Sequence, residues 1–151
     1  MVRRTHWLQL ALGAMACVVV AGAAALAAES GLVISDPWVR IVVPSRPAAG
    51  YFTLSNKTAK SEELVGASSP ACKTVMLHQS VNQNGVEKML MVMSVPVPAG
   101  GQIKFAPGGY HLMCMMPSRD VTPGHSIPIT LRFKDGGTVG ADFPVRGAMG
   151  Q

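Results

Sequence analysis

The sequence predicts an all-β fold in a single domain, and three observations carry that expectation. Short runs rich in Val, Ile, Leu, Thr and Phe recur at the spacing of a Greek-key sandwich or barrel. Pro44, Pro47, Pro96, Pro98, Pro107 and Pro123 all fall between the runs, where a missing amide donor is tolerated. No long stretch carries helical periodicity.

The first run, Leu32–Val43, stops at Pro44, and Gly50–Asn56 opens after Pro47. Glu63–Ser68 and Thr74–Ser80 follow, on either side of Pro70. Val86–Ser94 ends before Pro96, Gln102–Phe105 before Pro107, and His111–Met116 begins after Gly108-Gly109. Ser126–Phe133 and Thr138–Val145 flank Lys134-Asp135-Gly136-Gly137, a strong hairpin signal.

A second hairpin is expected at Asn82-Gln83-Asn84-Gly85. With all four residues in the loop, Val81 faces Val86 and His78 lies across from Met89, at the roughly 4.5–5.5 Å Cβ separation of opposed residues. A two-residue Asn84-Gly85 loop would place Met91 opposite His78 and leave Met89 diagonal. Both registers keep the two on one face.

Residues 1–27 read as a secretory signal: Arg3 and Arg4, an apolar stretch from Leu8, and Ala25-Leu26-Ala27 for cleavage before Ala28. Ala14-Met15-Ala16 is a poor lipobox for Cys17, and Arg3-Arg4 lacks the flanks of a twin-arginine signal. Residues 28–151 then form one domain, expected to be a soluble monomer without stable membrane insertion. The whole chain has 13 Lys and Arg against 8 Asp and Glu, net +5, and loss of the leader lowers this to +3. With no dense basic run and no aromatic-basic interleaving, nucleic acid is not an expected partner.

Chemistry concentrates in His78, Met89, His111 and Met113: two imidazoles and two thioethers in the spacing His-x10-Met-x21-His-x-Met. Thioether is a soft, uncharged donor that favours Cu(I), whereas Zn(II), Mg(II) or Ca(II) call for thiolate or oxygen. Strand parity separates ligands from core. One face carries Val75, Leu77, Leu90, Val92, Leu112, Cys114 and Met116; the other carries Met76, His78, Met89, Met91, Met93, His111, Met113 and Met115. A core has no need to gather methionine on the face that bears histidine. A metal site does. Because imidazole must be neutral to bind, affinity is expected to fall below about pH 6.5.

The same spacing, in a small exported β-domain, resembles the periplasmic Cu(I) chaperones called PCuAC. The likeness runs from Asp36-Pro37-Trp38-Val39-Arg40 through Ala48-Ala49-Gly50-Tyr51-Phe52 and Asn56 to Pro107-Gly108-Gly109-Tyr110-His111. It continues to Asp135-Gly136-Gly137-Thr138 and Pro144-Val145-Arg146. The resemblance implies a cupredoxin-like β-sandwich binding one Cu(I) in the periplasm of a Gram-negative cell. It also implies delivery to an acceptor such as the CuA centre in cytochrome oxidase subunit II, or a Sco-type assembly protein. Some relatives carry a His- and Met-rich C-terminal extension for a Cu(II) ion; the ending Gly147-Ala148-Met149-Gly150-Gln151 leads us to expect no such site.

Cys72 and Cys114 lie outside that ligand pattern. An oxidising compartment permits a disulfide without requiring one, and a thiol contribution to the metal stays open if a bulge brings Cys72 close. Other readings are copper buffering or acquisition, a thiol oxidoreductase using Cys72 and Cys114, and a metal-free scaffold. An enzyme is not expected, since no catalytic triad order, paired-carboxylate pocket or phosphate loop stands out. Met76, Met91 and Met115 are read as a sulfur-rich rim, Tyr110 and Gly109 as shaping a turn, and His125 as solvated.

Overall fold

The structure is a computed structural model that describes residues 31–150. The leader expected at residues 1–27 lies outside them. Ten strands follow one another: β1 Leu32–Arg40, β2 Ala48–Asn56, β3 Glu62–Ser68, β4 Cys72–Gln83 and β5 Val86–Met91, then β6 Val95–Val97, β7 Gln102–Phe105, β8 Tyr110–Pro117, β9 Ser126–Phe133 and β10 Thr138–Arg146. Among the described residues there is no helix. The strands run in the order β5-β4-β8-β7-β2-β1-β10-β9-β3-β6, and an added β3–β4 pairing closes eight of them into a barrel. The all-β, cupredoxin-like, single-domain expectation holds.

Alternation fills the barrel. In β9, Ile127, Ile129, Leu131 and Phe133 are buried while the residues between them are exposed, the period-2 pattern of a half-buried strand. Phe52 stacks on Phe105 at 4.3 Å and meets the edge of Phe143 at 5.8 Å. Buried Asn56 pins the end of β2: its amide donates to the carbonyls of Lys60 and Val97, and its oxygen accepts from the Thr58 amide and hydroxyl. At Gly50 a Cβ would lie 3.2 Å from that of Leu112, so the missing side chain lets β8 lie close on β2.

Several boundaries differ from the sequence reading. β1 ends at Arg40, short of Val43, and its register shifts between Ser35 and Trp38. Asp36 there has φ of 50°, and Pro37 has no amide to give the ladder. Val95–Val97 forms a separate short strand against β3.

The β4–β5 hairpin closes on two residues, not four. Asn84 and Gly85 have φ of 54° and 81°, the paired positive angles of a type I′ turn, and the Gly85 amide donates to Asn82 Oδ1. The pairing is Gln83 with Val86, Ser80 with Met89 and His78 with Met91. The His78–Met89 opposition is therefore corrected to the alternative register. Leu90, expected in the core, is exposed because β5 lies outside the barrel at the sheet edge.

Cys72 and Cys114 form a disulfide with both residues buried. Alternation breaks at Lys73 and Thr74, both exposed, across from Met116, whose φ is 48°. That break turns Cys72 inward, away from the His face. It also leaves Met116, expected in the core, 65% exposed.

Candidate metal centre

Three adjacent strands build the candidate centre. His78 in β4 is paired with His111 in β8, and their rings lie 5.7 Å apart at 75°. Met113, two residues along β8, is flanked by Met76 of β4 and Ala49 of β2. The small Ala49 leaves room above it. Met89, opposite Ser80, reaches in from β5. Met89, His111 and Met113 line one hollow of about 250 Å³, together with Arg40, Tyr51 and Ser80. His78 borders it through its ring contact with His111.

Hydrogen bonding prepares His111. Its Nδ1 lies 3.1 Å from the Gly109 carbonyl, a contact that can form only if Nδ1 carries the proton. In the neutral ring Nε2 then holds the lone pair, and it is buried with no partner. His78 Nδ1 is likewise buried without a partner. Two orphaned imidazole nitrogens on facing residues are costly unless something accepts their lone pairs. A cation does so, and a carbonyl on the other ring nitrogen is the usual way a ligating histidine is oriented.

The surroundings favour a neutral His78 ring. Burial holds the His78 imidazole below its ordinary pKa, and the neighbouring His111 adds to that. Tyr51, 6.4 Å from His111, has its hydroxyl pushed up by burial against the opposing pull of Arg40, so it stays a neutral phenol. Trp38 packs on Tyr51 at 4.7 Å, Arg40 lies 5.8 Å from the Tyr51 ring and Arg146 lies 5.1 Å from the Trp38 ring. Among the described residues no three His, Cys, Asp or Glu side chains gather as a metal site. The soft character of this centre thus rests on its methionines.

Sequence reasoning missed one contributor. The Gly109 carbonyl sets the His111 tautomer, where Gly108-Gly109 signalled only a turn. Met91 sits directly across from His78, the position that the two-residue loop register anticipated. His125 is exposed in its loop, as expected.

A family profile described as "Putative lipoprotein LpqE-like" matches residues 32–145, nearly all of the barrel. The chain belongs to this family. As an LpqE-like protein it is 32% identical over 154 residues to Lxx21020 of Leifsonia xyli subsp. xyli, spanning 99% of this chain and 92% of that one. RP573 of Rickettsia prowazekii is 35% identical over 116 residues, covering 73% of this chain and 64% of the relative. Among solved structures, the CuI-DR1885 solution structure from Deinococcus radiodurans superposes with a TM-score of 0.63 at 31% identity, covering 82% of this chain and 85% of the other. The copper-bound PCuAC domain from PmoF2 gives 0.64 at 23% identity, covering 78% and 93%, and supports the shared fold. The PCuAC likeness read in the LpqE-like sequence is present in its fold.

Proposed function

We propose that this chain is an exported Cu(I) carrier that holds one ion between His78, Met89, His111 and Met113. The observation that carries the reading is the pair of buried, partnerless ring nitrogens, His111 Nε2 and His78 Nδ1, on paired residues beside a surface hollow into which Met89 and Met113 also project. The likeness to CuI-DR1885 supports the identity of the ion, and the lipoprotein description of the family supports export.

Four neutral donors suit a carrier. They leave the bound ion its single positive charge and disfavour Cu(II), which prefers tetragonal nitrogen and oxygen. Thioethers do not pair into disulfides outside the cytoplasm, although strong oxidants convert them to sulfoxide. Met89 is 54% exposed, whereas His111 is 3% exposed. An incoming thiolate therefore displaces Met89 first, and the imidazoles let go last. The acceptor on this reading is a thiolate-bearing protein, the CuA centre of cytochrome oxidase or a Sco-type assembly protein, met in the periplasm by a monomer freed of its leader before Ala28. The buried Cys72–Cys114 bridge disfavours the oxidoreductase alternative.

An anaerobic Cu(I) titration against a chromophoric chelator tests the proposal. One equivalent should bind tightly to the wild type, and a His78→Ala/Met89→Ala variant should lose most of that affinity. Unchanged affinity in the variant removes the ligand assignment.

A further inference from the structure

We propose a second thioether seat for Cu(I), formed by Met76, Met91 and Met93 beside His78, which the ion occupies on its way out to an acceptor. The inference rests on the Cu(I) reading above and adds a place to it.

The β4–β5 register creates the seat. His78 faces His111 on one side and Met91 on the other. Beyond Met91 the Val92 amide donates to the Leu77 carbonyl at 2.9 Å, so the pairing continues past the end of β5. A hydrogen bond between Leu77 and Val92 makes the neighbouring His78–Met91 a close pair whose side chains approach nearly, and Met93 follows one residue beyond Val92. Met76, Met91 and Met93 line a single hollow of about 170 Å³, separate from the one holding Met89, His111 and Met113. His78 stands between the two.

Exposure argues against packing as the reason for these side chains. Met91 is 63% exposed and Met93 79% exposed, so neither contributes much to a core. Exposed thioethers are ready to meet an ion and a partner's thiolate together. Arg132 lines the same hollow, and its cation weakens residence there. The place is thus one of passage, filled by a separate ion only when metal is in excess. Transfer exchanges neutral donors one at a time: a Met91 thioether enters as Met89 or Met113 leaves, His78 bridges the change, and copper stays monovalent throughout.

Methyl-labelled methionine spectra and histidine-ring spectra, recorded together during Ag(I) titration of the full mature chain, provide the test, Ag(I) being a redox-inert soft monovalent probe. The first equivalent should move the Met89 and Met113 methyls and the His78 and His111 rings. The second should move Met76, Met91 and Met93. In a Met76→Leu/Met91→Leu/Met93→Leu variant, first-equivalent Cu(I) affinity should be unchanged. Its transfer rate to a Cys-x-x-Cys peptide should fall about tenfold, equivalent to about 1.4 kcal/mol of lost stabilisation on the path. Still methyls through the second equivalent, or an unchanged transfer rate, overturn the seat alone. Rings that do not respond to the first equivalent overturn the carrier reading and the seat with it.

Discussion

His111 owes its readiness to a single backbone carbonyl. The Gly109 carbonyl accepts a hydrogen bond from Nδ1–H, so in the neutral ring the lone pair sits on Nε2, which is buried without a partner. His78 is kept neutral by burial and by His111 rather than by a carbonyl, and that has a pH consequence. Its folded-state pKa lies below the unfolded value of about 6.5. Above that pH both states are neutral and the group contributes nothing. Below it the unfolded chain takes up a proton that the folded chain resists, so stability falls until the folded pKa is passed. The urea midpoint of the metal-free protein should therefore drop between pH 7 and pH 5, and His78→Asn should flatten the slope. An identical slope in the variant contradicts the burial argument. The onset of Cu(I) loss on acidification should also lie lower than an ordinary imidazole implies. Asn56 is the other residue whose polar atoms matter: Asn56→Ala removes four hydrogen bonds around a turn and should cost about 2–3 kcal/mol by urea denaturation.

Among the elements, the β4–β5 hairpin decides which sulfur meets which imidazole. Asn82-Gln83-Asn84-Gly85 allows loops of two or four residues on sequence alone, and only the positive φ at Asn84 and Gly85 selects the shorter. That is why parity placed Met89 and Met91 on the right face yet left their order along β4 open. Gly85 has nothing within 4 Å of a built Cβ, so Gly85→Ala meets no clash and is opposed by backbone conformation alone. The substitution should destabilise by about 1–2 kcal/mol, measured by denaturation, while the His78–Met91 cross-strand contact persists in proton spectra. β9 was legible throughout because its alternation is unbroken, whereas β6 was not: three residues around Pro96 carry too little pattern. Cys72 misled strict parity because the break at Lys73 and Thr74 reverses its direction.

At the scale of the whole molecule, the barrel divides its sulfur between two tasks. Cysteine sulfur lies inside, where the Cys72–Cys114 bridge links residues 42 apart. Methionine sulfur lies outside with the histidines. Loop-closure entropy puts the bridge at about 4 kcal/mol of stability, and a Cys72→Ala/Cys114→Ala variant should lose about that much in urea. Its Cu(I) affinity should match the wild type, because neither cysteine faces the hollow. A face of soft donors was legible in the sequence through composition and parity, while the place of Cys72 was not, because a bulge could have turned it either way. Closure of the barrel through β3 and β4, which joins distant segments, was not.

Copper K-edge X-ray absorption of the Cu(I)-loaded Cys72→Ala/Cys114→Ala variant, prepared as residues 28–151, is the decisive measurement, because methionine is the only sulfur in that stretch once both cysteines are replaced. A mixed shell of imidazole nitrogen and thioether sulfur, indistinguishable from the wild type, is expected. A shell without sulfur would contradict it.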